Sequence, residues 1–171
     1  MQKHDPGGER QIKIHTVYGI IDGTLRIAEQ SRTLDELNGG SEDFLTVQKP
    51  ELTTATWSFD EHQLTINKAS ILFVQEMTPP AAVSRQAAQG QFTRASVRLR
   101  VDQFDVVGFM HVITGGSPMK RLGQDNHTFI PLTSVSVVGS DQQFATPFLV
   151  VNRRKILAAQ EVGHAKQEAE A

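Results

Sequence analysis

Two segments that lie 85 residues apart decide how this chain is organised. Residues 64–76 read LTINKASILFVQE, and residues 149–161 read LVVNRRKILAAQE. The same offset aligns 12–77 with 97–162 without a gap, and conservative apolar pairs such as Ile12/Val97, Ile21/Val106 and Leu45/Ile130 fall between the identical ones. We therefore interpret the chain as two copies of one structural unit. The identical pairs are Gly23/Gly108, Leu37/Leu122, Phe44/Phe129, Phe59/Phe144, Leu64/Leu149, Asn67/Asn152, Ile71/Ile156, Leu72/Leu157, Gln75/Gln160 and Glu76/Glu161.

The repeat sets the expected boundaries. We expect a flexible leader at 1–9, copy one at 10–77, a linker at 78–93, copy two at 94–162 and a polar tail at 163–171. A unit of this size buries only about 60% of its unfolded surface and is marginal alone. The two copies are therefore expected to pack together, or to extend their sheets onto neighbours through exposed edge strands.

Each copy has the pattern of short strands around one helical turn. Alternating apolar residues at 12–16 and 18–28 predict two strands, and Gly23, like Gly108, marks a bulge or bend within the second. The fold class is mainly β, with two tandem small SH3- or Sm-like β-barrels, each with one short helical turn. Short helices are predicted at 33–39 and 117–123, and further strands at 44–47, 55–59, 64–66, 71–76, 129–132, 135–138 and 148–151. Residues 156–160 fit either a strand or a helix.

Composition narrows the class of protein. The chain has 171 residues, no cysteine and a formal net charge of −2. This composition is typical of a soluble globular protein, and it excludes disulfide scaffolds and thiolate zinc sites. No stretch reaches the roughly 18 apolar residues of a membrane span, and the N-terminal residues lack the apolar segment of a signal peptide. We expect a cytoplasmic protein with no cofactor and no membrane partner.

Charge is divided unequally between the copies. Residues 10–77 hold six Lys/Arg and ten Asp/Glu, giving −4, whereas residues 94–162 hold eight and five, giving +3. The distribution fits a solvated face with complementarity between the halves. It also fits head-to-tail association into rings or filaments, or the binding of an anionic ligand by copy two.

The sequence offers little catalytic chemistry. The six histidines lack metal-site spacing, and His15 and His111 fall on strand positions expected to face solvent. Either Ser117 or Ser134 could be combined with His127 and a nearby aspartate, but no glycine-flanked elbow accompanies either serine. We expect a protein that is not an enzyme, with no metal site.

The asparagine shared by both copies precedes a cation in each, so it marks a polar, cationic turn that occurs twice. A structural interpretation is that asparagine caps the turn with its amide, and a functional one is that the turn holds a base or phosphate. The candidate binding residues are Asn67, Lys68, Arg98, Arg100, Asn152, Arg153 and Arg154.

With these residues in view, copy one resembles a family of short bacterial proteins known only as a domain of unknown function. The resemblance is carried by Gly23-x-Leu25, Arg32-x-Leu34-x-x-x-Asn38, Phe44-Leu45 and Ile66-Asn67-Lys68-x-x-Ile71, and it implies no activity. Copy two keeps Phe129-Ile130 and Val151-Asn152-Arg153-x-x-Ile156, but has Ser117 and Gly123 in place of the arginine and the first asparagine. More loosely, the pattern is similar to Sm-like small barrels, which implies rings formed through strand edges and RNA binding near these loops.

Our leading hypothesis is a non-enzymatic assembly or adaptor protein that associates with itself or with a protein partner through strand edges and acidic/basic polarity. The alternative is an Sm-like RNA- or anion-binding module that uses the basic loops of copy two.

Overall fold

The computed structural model describes residues 8–28, 31–40, 42–53, 59, 62–77 and 91–163. Copy one contains β1 (Gly8–Thr16), β2 (Gly19–Ile27), α1 (Thr33–Asn38), β3 (Phe44–Thr53), β4 (Gln63–Asn67), a 3-10 turn (Lys68–Ser70) and β5 (Ile71–Glu76). Copy two contains β6 (Phe92–Val101), β7 (Phe104–Ile113), α2 (Pro118–Gln124), β8 (Phe129–Val138), β9 (Gln143–Asn152), a 3-10 turn (Arg153–Lys155) and β10 (Ile156–Glu161).

All ten strands belong to one antiparallel sheet in the order β10-β6-β7-β8-β9-β5-β1-β2-β3-β4. Each copy contributes five strands in the same internal order, with its fifth strand at one edge and its fourth at the other. The copies join where β5, the fifth strand of copy one, pairs with β9, the fourth strand of copy two. The sheet is therefore a head-to-tail addition of two equivalent units.

The shared glycine bends the second strand of each copy, as the sequence predicts. The β2–β3 ladder shifts register between Asp22 and Thr24, and the β7–β8 ladder shifts at the equivalent point. A Cβ on Gly23 would lie 2.3 Å from Cγ1 of Val47, so only glycine fits against the bent third strand.

The third strand bends at a matching position in each copy. Lys49 in β3 and Ser134 in β8, which are 85 residues apart, both have a positive φ near 48°. The two strands predicted at 129–132 and 135–138 are in fact one strand, bent at Ser134. A sequence pattern interrupted at this point indicates a loop, but an antiparallel ladder tolerates such a bend.

Both short helices form where they are predicted. Before α1, the backbone N–H of Arg32 donates to the Asp35 carboxylate, while α2 begins with Ser117 accepting from the backbone N–H of Lys120 and with Pro118 in its first turn. No described helix has the length and apolar character needed to cross a membrane.

Each of the two hydrophobic cores includes residues from the other copy. The core of copy two includes Leu72 and Phe73 from β5, while the core of copy one includes Phe129 and Val150 from copy two. As a result β5 is buried on both faces from Ile71 to Val74, which is unusual for the edge strand of a single unit.

The mainly β prediction is confirmed, whereas two tandem barrels are not. In the described sheet neither copy forms a closed barrel. The fifth strand of copy one, β5, pairs with β9 and not with β4, and the fifth strand of copy two, β10, lies at the outer edge beside β6. Residues 156–160, left open between strand and helix, form β10. Of the linker predicted at 78–93, residues 78–90 lie outside the described residues, and Phe92 and Thr93 belong to β6. Most of the strand predicted at 55–59 also lies outside the described residues.

Candidate functional site

The junction between the copies is a short antiparallel ladder between β5 and β9. Its ladder pairs Phe73 with Val151, Val74 with Val150 and Gln75 with Leu149. It joins two edges that would otherwise expose backbone donors and acceptors. The junction thus shows how the fifth strand of one unit is received by the fourth strand of another.

Two asparagines form hydrogen bonds between the copies near this ladder. The Asn38 amide donates to the backbone O of Phe129 at 2.8 Å and accepts from its backbone N–H at 2.9 Å. Asn152, 1% exposed, donates from Nδ2 to the Ile71 carbonyl at 2.8 Å and accepts from the Arg154 backbone N–H at 3.0 Å. Each amide therefore satisfies backbone groups near the junction, and removal of either would leave them unpaired.

An aromatic cluster fills the space beneath the junction. The ring centroid of His15 lies 4.5 Å from that of Phe73 and 5.4 Å from that of Phe144, and Phe73 lies 5.1 Å from Phe104. Contrary to the prediction, His15 is buried, at 2% exposure. His15 does alternate with Ile14 and pairs with Phe73, but Phe104 and Phe144 of copy two cover the face of β1 that the prediction left to solvent.

The buried histidine is uncharged at neutral pH. Burial, followed by the positive charge of Lys13, lowers the pKa of His15 from 6.5 to about 4. Neither ring nitrogen has a hydrogen-bond partner among the described residues. Because protonation of His15 is disfavoured in the folded chain, acid destabilises the junction.

The outer strands β4 and β10 are the remaining edges of the described sheet. The Lys68 backbone N–H donates to Asp43 and that of Lys49 donates to His62, so by antiparallel alternation the N–H and C=O of Thr65 point away from β3. The Val162 N–H donates to Ser96, so Ala159 points away from β6 by the same alternation. Both edges thus present backbone groups of the kind that pair at the junction.

A cavity of about 430 Å³ opens beside β4. Its apolar lining includes Ile21, Phe59, Leu64 and Ile66. At the equivalent positions copy two has Val106, Phe144, Leu149 and Val151, which pack with Leu72 and Phe73 of β5. The cavity in copy one therefore corresponds to the space that Leu72 and Phe73 of β5 fill in copy two.

The predicted asparagines occupy equivalent turns in different surroundings. Asn67 ends β4, accepts from the Ala69 backbone N–H at 2.9 Å and is exposed, whereas Asn152 is buried at the junction. The structural interpretation of both as turn caps is confirmed. Asn152 Nδ2 also lies 3.4 Å from the Lys68 carbonyl O, which places the two turns side by side.

The predicted arginines on β6 are engaged with an acid. Arg98 Nη2 lies 3.1 Å and Arg100 Nη1 3.6 Å from the carboxylate of Asp105. The hydrogen bond from Arg98, ahead of the charge of Arg98 and Arg100, holds the pKa of Asp105 below its usual value. Because Asp105 offsets part of their charge, these arginines form a weaker anion site than their number suggests.

The basic residues that follow each asparagine differ in their exposure and in the hydrogen bonds they make. Arg153 is half-buried and donates to the backbone carbonyls of Leu122 and His127, so it ties α2 and the start of β8 to the turn. Lys68 donates to the Gly39 carbonyl at 3.3 Å. Arg154 is exposed, and Lys155 lines the cavity beside β4.

The serine, histidine and aspartate singled out by sequence serve local structure. His127 Nδ1 lies 2.8 Å from the Asp125 carboxylate, which also accepts from the His127 backbone N–H. Burial raises the pKa of Asp125, but the hydrogen bonds from His127 and the charges of His127 and Arg121 together outweigh burial. The pKa of Asp125 therefore lies below its usual value. Ser117 caps α2, and Ser134 accepts from Arg94. Within the described ranges, no three His, Asp or Glu side chains are grouped to hold a metal ion.

Sequence reasoning missed three residues that build the junction: Asn38, His15 and Phe73. The repeat alignment contains a signal for two of them, because Asn38 is replaced by glycine and Phe73 by alanine in copy two. Such asymmetry indicates residues needed only where copy one meets copy two. Comparison of the chain with protein-family models, with curated proteins and with solved structures finds no match.

Proposed function

We propose that this chain is a non-enzymatic, cytoplasmic assembly protein that associates with copies of itself through its sheet edges. In this proposal each copy acts as one Sm-like, half-open barrel unit, and the molecule is a pre-joined pair of units. The observation that carries the proposal is topological: the two outer edges, β4 and β10, are the same two strand types that pair at the internal junction.

The charge distribution supports the same mode of association. The β4 edge belongs to the half with a net charge of −4, and the β10 edge to the half with +3. An encounter of unlike edges is therefore electrostatically favoured over an encounter of like edges. Such a contact is heterologous, and repetition closes it into a ring or extends it into a filament.

Light scattering over a range of concentrations tests the proposal. We expect oligomers that dissociate on dilution, and we expect Thr65→Pro to remove them, because proline deletes the outward N–H of β4 while leaving its ladder with β3 intact. Thr65→Ala is the matched control and retains that N–H. A wild-type chain that stays monomeric at every concentration and salt would refute self-association.

A second candidate is an anion- or RNA-binding module, and the adjacency of the two 3-10 turns favours it. Lys68, Arg154 and Lys155 lie on these neighbouring turns. Single-stranded RNA should then bind in a filter assay with steep salt dependence, and Arg154→Glu should weaken binding. Arg154 is the residue to change, since reversing Arg153 would also break its bonds to two backbone carbonyls. The absence of binding at low salt would exclude this candidate.

A further inference from the structure

We infer that β10 of one molecule adds to β4 of the next in the register of the internal junction, with Leu157 seated at the cavity beside β4. This inference rests on the proposed self-association and specifies its surface. Shifting the β5–β9 ladder by 85 residues pairs Ala159 with Thr65, flanked by Ala158 with Ile66 and Gln160 with Leu64. The occupant of the edge is thus a second copy of this chain.

Residues kept identical by the duplication provide the first support. Phe129 and Leu72 are each 1% exposed at the junction, but their repeat equivalents Phe44 and Leu157 are 53% and 79% exposed. Asn152 is buried at the junction, and its equivalent Asn67 is exposed at the end of β4. The outer edges therefore carry the side chains that the junction buries, and at these edges Phe44 and Leu157 are exposed.

The shape of the free edge provides the second support. The cavity of about 430 Å³ is lined by Leu64 and Ile66, whose equivalents Leu149 and Val151 share a core with Leu72 of β5. Placing β10 along β4 brings Leu157, the equivalent of Leu72, to this cavity. The exposed Leu157 and the cavity beside β4 thus correspond, through the 85-residue repeat, to Leu72 and the core that holds it at the junction.

The shared asparagine provides the third support. Asn152 Nδ2 donates to the Ile71 carbonyl across the junction. The equivalent bond runs from Asn67 to the Ile156 carbonyl of the next molecule. Asn67 already accepts from the Ala69 backbone N–H, and its Nδ2 has no partner in the described part of the chain, so it is free to make this bond.

The contact between molecules should be weaker than the junction. Gly123 stands where Asn38 holds the Phe129 backbone, and Ala158 stands where Phe73 fills the aromatic cluster. The contact therefore lacks two hydrogen bonds and one large ring. We expect association that reverses on dilution, in contrast to the covalently joined pair.

Disulfide trapping tests the register, since the chain has no cysteine of its own. Thr65→Cys and Ala159→Cys molecules are purified separately, mixed and oxidised, and a linked dimer is expected because opposed residues of an antiparallel pair lie about 5.5 Å apart at Cα. The control replaces Thr65→Cys with Thr46→Cys. Thr46 pairs with Thr65 and is exposed like it, but lies one strand further in.

Comparing the rates of disulfide linkage with the oligomeric state distinguishes a wrong register from a lack of self-association. Faster linkage of the Thr65/Ala159 pair than of the Thr46/Ala159 pair supports the register. Equal linkage in a preparation that light scattering shows to be oligomeric overturns the inferred register, whereas self-association through sheet edges, which the Thr65→Pro variant tests separately, remains the proposed function. Absence of oligomers refutes both.

The Leu157→Asp variant independently tests whether Leu157 is buried in the contact between molecules. Leu157 is 79% exposed, so we expect unchanged unfolding but an association constant lowered by about 10- to 100-fold, the size expected for loss of one buried leucine. Ile113→Asp, at 70% exposure on β7, is the matched control and should leave association unchanged. Equal effects of the two variants would overturn the inference.

Discussion

Acid should destabilise the fold through one residue, His15. Its pKa is about 4 in the folded chain and about 6.5 in an unfolded one, because burial disfavours the charged ring. Since the folded pKa lies below the unfolded pKa, the unfolded state binds more protons between these values. Stability is therefore full above pH 6.5 and falls as the pH drops toward 4.

The magnitude follows from the two pKa values. At pH 5 the unfolded histidine is almost fully protonated and the folded one almost fully neutral, so the linkage relation gives a loss of ~2 kcal/mol between pH 8 and pH 5. Asp35, Asp105 and Asp125 have pKa values lowered below the ordinary value of 3.8, so these carboxyls stay ionised over this range.

Urea unfolding at pH 8 and pH 5 measures this loss, with His15→Phe as the variant that cannot titrate. Any packing cost of the phenyl ring is the same at both pH values and cancels in the difference. Both proteins carry Thr65→Pro so that association does not contribute to stability. Equal losses of stability in the wild-type and His15→Phe proteins between the two pH values would refute the assignment of the acid effect to His15.

Three further substitutions test the packing and the assembly by urea unfolding and by dilution. Gly23→Ala should lower the unfolding midpoint more than Gly108→Ala, because the added Cβ meets core atoms at 2.3 Å in copy one and at 3.0 Å in copy two; equal midpoints would contradict this. Phe73→Ala should cost about 3–5 kcal/mol, since this ring is fully buried between the copies, and a loss below about 1 kcal/mol would show that the cluster does not hold them together. Gly123→Asn should strengthen association by roughly tenfold by restoring the two hydrogen bonds that Asn38 makes at the junction, and unchanged association would count against the inferred register.

The repeat, the helices and the glycine bends could be predicted because they depend on short-range patterns. The Ser117 cap of α2 depends on a few neighbouring residues, and a glycine in the middle of a strand pattern indicates a bend at Gly23 and Gly108 without knowledge of the packing. The structural role of Asn67 and Asn152 as turn caps was predictable for the same reason. Where the local pattern misled, the cause was a bend in the strand at Ser134 and, at His15, aromatic residues of copy two that cover the second face of β1.

By itself the sequence determined that the chain is β-rich, that it is duplicated, and that one half is acidic and the other basic. Only the tertiary structure decided which edges meet, that β5 is buried on both faces, and that Asn38 and Phe73 hold the copies together. The physical reason is that alternation specifies which face of a strand is apolar but not which strand lies beside it. That choice depends on contacts between residues far apart in the chain, and it leaves β4 and β10 as the surfaces through which we expect this protein to act.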